Sequence, residues 1–187
     1  MDALRAVTYE QTVLEEYLAL PETTMAELID GVIYNMASPS RQHQKILGEL
    51  YAVIHERTKK HGKGCEVYPA PFSVKLAKDK DNYLEPDISI ICDKDKLTDA
   101  GCEGAPDWII EIVSPGDPRH DYIKKLNLYE DAGVREYWIV DPMESKVTVY
   151  TLEKENFHMS VYTFEDTIPV SIGDDFTIDF SKIDTTI

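Results

Sequence analysis

Cysteine is scarce in this 187-residue chain: Cys65, Cys92 and Cys102 are an odd set with no CxxC spacing. That excludes a disulfide framework and a cysteine-rich zinc module, and it predicts a reduced, cytoplasmic setting. Long apolar runs are missing too, none approaching the roughly 18–20 residues of a spanning helix. The opening MDALRAVTYE carries no signal-peptide core, so neither membrane insertion nor export is expected. There is no glycine-rich phosphate loop, GxSxG or HExxH, which removes ATPase, serine-hydrolase and zinc-protease readings. Repeats, low-complexity tracts and linkers are also absent, so 1–187 reads as a single domain with its core at about 25–165. Positive charge is short: 19 Lys+Arg stand against 35 Asp+Glu, a net charge of −16. A generic DNA-coating protein is thereby excluded, because phosphate affinity comes from Lys and Arg.

One stretch opposes that balance. Residues 41–64 are net +4, with Arg41, Lys45, Arg57, Lys59, Lys60 and Lys63 facing only Glu49 and Glu56. His43, His55 and His61 are interleaved. A charge cluster alone is most simply a solvated helix face. Its functional reading is a local anion-facing surface, with Arg41, Lys45, Lys59 and Lys60 as candidate nucleic-acid contacts.

The pattern predicts a mixed α/β (α+β) fold around one central sheet. Thr8 with Gln11 forms a capping box for a helix to about Ala19, and Pro21 ends it. Leu28–Tyr34 is a hairpin turning at Asp30-Gly31. Ser38-Pro39-Ser40 caps a helix to roughly Lys60, with Leu47, Leu50 and Ile54 stacked along it. Strands follow at Glu66–Tyr68, Phe72–Leu76, Pro86–Cys92 and Asp107–Val113. Asp117-Pro118 starts another helix and Gly133 stops it. Glu136–Asp141 is a buried strand, and Lys146–Leu152 with His158–Phe164 make a terminal hairpin.

Two acids interrupt core strands. Asp87 opens Pro86-Asp87-Ile88-Ser89-Ile90-Ile91, and Glu111 sits in Trp108-Ile109-Ile110-Glu111-Ile112-Val113. A buried carboxylate needs a cation, a hydrogen-bond network or a raised pKa. Pairing with Lys or Arg would satisfy either acid. If the strands are neighbours, the two could equally share a divalent ion, and hard oxygens suit Mg²⁺ or Mn²⁺.

These motifs, with Asp121, Lys125, Tyr129, Gly133-Val134 and Glu136–Asp141 after them, resemble the Uma2 family (formerly DUF820). Glu27-Leu28-Ile29-Asp30-Gly31 and His43 resemble its N-terminal signature. The resemblance implies a restriction-endonuclease-like core of the PD-(D/E)xK superfamily. The N-terminal helix and hairpin and the C-terminal β-hairpin would be additions to it. The superfamily's lysine belongs two residues after the acid, where this chain has Val113. The resemblance implies that the lysine has moved to the following helix as Lys125, on one ridge with Asp121 and Tyr129. Lys124 next door is a competitor for the role.

What the resemblance implies for chemistry is metal-assisted hydrolysis of DNA phosphodiesters. Asp87, Glu111 and the Ile112 backbone carbonyl would hold Mg²⁺ or Mn²⁺, and Lys125 would complete the catalytic set. Glu27, His43, Asp121 and Tyr129 would support it, with Glu49 a further candidate carboxylate. A homodimer is expected, since cutting both strands takes two sites and the hairpin at 146–164 has edges to cover. The competing readings are a catalytically silent nuclease-like fold acting as a binding or dimerisation module, and a hydrolase of small phosphoesters.

Overall fold

The computed structural model describes residues 13–21, 23–61, 64–77, 80–115, 124–154, 156–173 and 175–186. The Thr8–Gln11 capping box, the Asp117-Pro118 helix start and Asp121 lie outside them; what is described at the N-terminus is a helix, α1, at 13–18.

Next comes the hairpin of β1 (Ala26–Ile29) and β2 (Val32–Asn35). Its turn has positive φ at both Asp30 and Gly31, 49° and 73°. That is the geometry for which Asp-Gly is selected. Helix α2 (Arg41–His61) starts where the sequence places it, and Ser40 Oγ accepts the His43 amide at 3.1 Å. Its Ile46, Leu47, Leu50 and Ile54 are buried on one stripe.

The strands form two six-stranded sheets rather than one. The first has the order β2-β1-β5-β4-β8-β7, using β4 (Val74–Ala77), β5 (Lys80–Leu84), β7 (Leu97–Thr98) and β8 (Gly101–Glu103). The second has the order β12-β11-β10-β9-β6-β3. It contains β3 (Glu66–Pro69), β6 (Ile88–Ile91), β9 (Trp108–Ile112), β10 (Glu136–Asp141), β11 (Lys146–Glu153) and β12 (Asn156–Thr163). A small pair, β13 (Thr167–Pro169) and β14 (Thr177–Asp179), closes the chain. The periodicity missed the extra strands because each is short and lacks a clean alternation.

Strands β9 and β10 run parallel, with Glu136 opposite Trp108, and α3 (Leu126–Ala132) lies in the crossover between them. Gly133 ends α3 at φ 81°, donating its amide to the carbonyls of Tyr129 and Glu130. Every residue of β9 and β10 is buried, as a strand covered on both faces requires. One face packs Ile88, Ile90, Trp108, Ile110 and Ile112 under α2. The other packs Ile109, Val113, Tyr137 and Ile139 against Tyr129 of α3 and the first sheet. Trp108 and Trp138 are core, as their strand positions suggest.

One expectation is overturned. Cys65 and Cys92 are joined in a disulfide, where the sequence was read as free of one. The reason is register: Glu66 pairs with Ile91 across β3 and β6, which puts Cys65 beside Cys92. Linear spacing carries no trace of that. Cys102 is the free thiol and is buried; burial pushes it up to about 11.

Candidate active site

Glu111 projects from β9 toward α3, since it alternates with Ile110 and Ile112, which face α2. Its Oε1 accepts from Lys125 Nζ at 2.8 Å and from the Tyr129 hydroxyl at 2.8 Å. Lys125 and Tyr129 are four apart, so the ridge predicted for this helix is present at two of its three positions. The same Nζ lies 2.9 Å from Glu27 Oε1 of β1. Glu27 Oε1 also accepts the Glu85 amide at 3.0 Å. Lys125 and Glu27 are each 2% exposed, so a cation sits between two carboxylates inside the protein. A buried charge persists only when paired and hydrogen-bonded in this way. Burial first, then the charge of Glu111, holds the Tyr129 phenol well above its usual 10, so it stays a donor.

Asp87 stands one step beyond the paired residues Ile88 and Ile110, at the position facing Glu111 on the neighbouring strand. Its own bonds belong to a second network. Oδ2 accepts the Ile112 amide at 2.7 Å and lies 3.0 Å from His43 Nε2. The carboxylate thus acts as the last rung of the ladder, satisfying an amide that β6 no longer reaches. His43 reaches it from the first turn of α2 and is itself 5% exposed. In an extended strand a residue's N–H and C=O face the same neighbour, so the Ile112 carbonyl looks toward the Asp87 edge.

The structure therefore gathers Asp87, Glu111, Lys125, Glu27, His43, Tyr129 and Ile112 at one end of the β6–β9 pair, in two linked halves. Asp121 lies outside the described residues. Lys124 is exposed, with Nζ 2.5 Å from the Tyr34 hydroxyl and 4.5 Å from that ring's centroid, so Lys125 is the inward lysine. Among the basic residues of α2, Arg41 and Lys59 are exposed. Lys45 pairs with Asp184 at 2.5 Å and donates to Thr186 Oγ1, and Lys60 pairs with Glu56 at 2.6 Å. Glu85 was overlooked: it is half-buried beside Glu27, and burial followed by the charge of Glu27 pushes its carboxyl up. Its signal was its place immediately before Pro86-Asp87.

The fold has a known counterpart. A crystal structure of a "putative nuclease belonging to DUF820" from Anabaena variabilis ATCC 29413 matches with a TM-score of 0.74 and 25% identity. The match covers 91% of this chain and 96% of that one, which sets the class: a mixed α+β fold shared with that protein. The family model of Uma2, described as "putative restriction endonuclease", matches residues 14–181, and the chain belongs to that family. It is also 25% identical over 170 residues to an uncharacterized protein of Synechocystis sp. (strain ATCC 27184 / PCC 6803 / Kazusa), covering 88% of each.

Proposed function

We propose that this chain is a Mg²⁺- or Mn²⁺-dependent endonuclease that hydrolyses phosphodiester bonds in DNA. The observation that carries the reading is Lys125: from the helix after β9 it sets an ammonium on Glu111, the role left vacant by Val113.

The donor set suits a hard divalent ion. Asp87 and Glu111 offer carboxylates from facing positions, with the Ile112 carbonyl on the same edge. Among the described residues no three His, Cys, Asp or Glu converge as a ligand group. A two-acid set still fits, because Mg²⁺ keeps several waters and commonly binds through one or two carboxylates plus substrate phosphate. Asp87, Glu111 and that carbonyl would hold the ion, which would supply Lewis acidity toward the phosphate and acidify a water.

The protein's own groups divide the remaining work. His43 and the Ile112 amide fix the Asp87 carboxylate. Tyr129 and Lys125 fix Glu111, and the Lys125 ammonium offsets negative charge developing on the phosphate. Glu27 holds Lys125 from its other side. Arg41 and Lys59 would contact the DNA backbone; Lys45 and Lys60 would first exchange carboxylate partners for phosphate. With a net charge of −16, binding is weak and of low specificity. A homodimer supplies the second site for a double-strand cut, with the β12 edge as its contact.

Supercoiled plasmid incubated with Mg²⁺ or Mn²⁺ is nicked or linearised on this reading. Asp87→Asn and Glu111→Gln abolish the cut while circular dichroism stays unchanged. No cleavage of any DNA by wild-type protein with either ion would sink it. A silent scaffold is favoured by one observation, that Glu27, Lys125, Glu111 and Tyr129 already form a closed network. Calorimetry with Mn²⁺ separates the two, since a scaffold shows no site that depends on both Asp87 and Glu111.

A further inference from the structure

Lys124 and Lys125 are consecutive but go to different places. Lys125 turns inward to Glu27 and Glu111, at 2.9 and 2.8 Å. Lys124 stays exposed, with its Nζ 2.5 Å from the Tyr34 hydroxyl and 4.5 Å from the centroid of the Tyr34 ring. The backbone entering α3 is already helical at Lys125, and successive helical residues point about 100° apart. One turn of chain thus supplies an interior ammonium and a rim ammonium.

The position of Tyr34 follows from the hairpin register. Strand β2 pairs with β1 so that Tyr34 lies directly opposite Glu27. Opposite residues share one face of a sheet, with Cβ atoms roughly 4.5–5.5 Å apart. Because Glu27 points to Lys125, the half-buried Tyr34 stands at the rim of the same site. It packs there against the core cluster that contains Tyr129. A row of neighbouring groups therefore runs from Lys124 at the surface, past Tyr34 and Glu27, to Lys125 and Glu111.

The hold on Lys124 differs from that on two lysines of the basic helix. Lys45 sits on Asp184 and Lys60 on Glu56, so an incoming phosphate has to displace a carboxylate from either. Lys124 is held by a phenol hydroxyl and a ring face. These restrict the side chain by hydrogen bonding and cation–π attraction, and neither carries a charge that cancels its own. An ammonium ordered in this way meets an anion at reduced ordering cost.

We propose that Lys124, positioned by Tyr34, is a substrate-contact residue that binds the backbone phosphate next to the scissile one. The inference rests on the nuclease reading, which sets the scissile phosphate at Asp87 and Glu111, and it adds the anchor for the adjoining nucleotide. A strand carries one phosphate per nucleotide, so a cation at the rim meets the neighbour of the phosphate held inside. Lysine suits this as a point charge, and a phosphate contact carries no base information. The contact adds affinity without sequence preference.

Binding is read in EDTA, from the anisotropy of a short labelled DNA duplex over a salt series. Lys124→Met should lower the slope of log affinity against log salt by about 0.9, the loss of one phosphate contact, and weaken binding roughly tenfold at low salt. Its melting temperature should stay unchanged, and Lys124→Arg should keep both the slope and the affinity. Tyr34→Phe keeps the cation and the ring but loses the hydroxyl, so it should weaken binding by about threefold with the slope intact. Lys154→Met removes an exposed lysine just after β11, at the end of the sheet away from Glu111, and should change neither quantity. On plasmid with Mg²⁺, Lys124→Met should raise KM and leave kcat within about twofold. An unchanged slope in Lys124→Met, an equal loss in Lys154→Met, or a fall in kcat at constant KM overturns the Lys124 contact while wild-type cleavage keeps the nuclease reading. Wild-type protein that gives the expected binding pattern but cuts nothing overturns the nuclease reading and leaves the phosphate contact standing.

Discussion

Lys125 is a cation between two acids, Glu27 at 2.9 Å and Glu111 at 2.8 Å, with almost no access to water. Removing one member of such a set leaves uncompensated charge in the interior. Lys125→Met should therefore lower stability by about 3–5 kcal/mol, read from urea unfolding, even though methionine fits the volume. Tyr129→Phe removes one neutral donor from the same Glu111 oxygen and leaves the ammonium in place. Its cost should be about 1–2 kcal/mol, with the fold unchanged by circular dichroism. If Tyr129→Phe proved as damaging as Lys125→Met, the hydroxyl rather than the charge would be the main support of Glu111.

At the scale of elements, the Glu136 carboxylate ties β10 to the loop at 171–172. Burial pushes its carboxyl above the ordinary 4.5, although the Ser171, Trp138 and Ile172 donors pull the other way. The folded state then holds that proton more tightly than the unfolded chain does. Stability contributed here is fullest below pH 4.5 and is lost as pH rises through the folded value. Glu136→Gln should flatten that part of a melting-temperature profile, measured from pH 4 upward; an unchanged slope would assign it to other groups. The same scale shows what the sequence could carry. Helix α2, the Asp30-Gly31 hairpin and strands β6, β9 and β10 were legible because cap, turn and apolar run each have a local cause. So were Asp87 and Glu111, conspicuous as acids in apolar strands. The division of the strands into two sheets, the Cys65–Cys92 bridge and the hold of Glu136 on Ser171 and Ile172 were not, because register between distant segments makes them. The split of Asp87 and Glu111 into two hydrogen-bonded halves was hidden for the same reason.

Across the whole molecule, the one net-positive segment is partly covered by the protein's own acids. Asp184 lies on Lys45, the Thr185 carbonyl accepts from Gln42 Nε2 at 2.9 Å, and the Lys45 ammonium holds Asp184 down to about 2. Exposed pairs of this kind add little to stability and are screened by salt. Asp184→Asn should leave the melting temperature unchanged yet tighten association with DNA at low ionic strength. The gain should fade as salt is raised, in a filter-binding series. Equal affinity for both proteins at every salt concentration would place the DNA elsewhere than α2. Among the described residues no helix is long and apolar enough to cross a membrane.

The closed network of Glu27, Lys125 and Glu111 has an evolutionary consequence. Both acids hold the same lysine, so selection for folding alone would retain all three in any relative that had lost the proposed activity. Inactive descendants should therefore keep the triad intact and drift first at Arg41 and Lys59, which the fold does not need. An inventory of relatives by intact acidic and lysine positions will overcount the working enzymes among them.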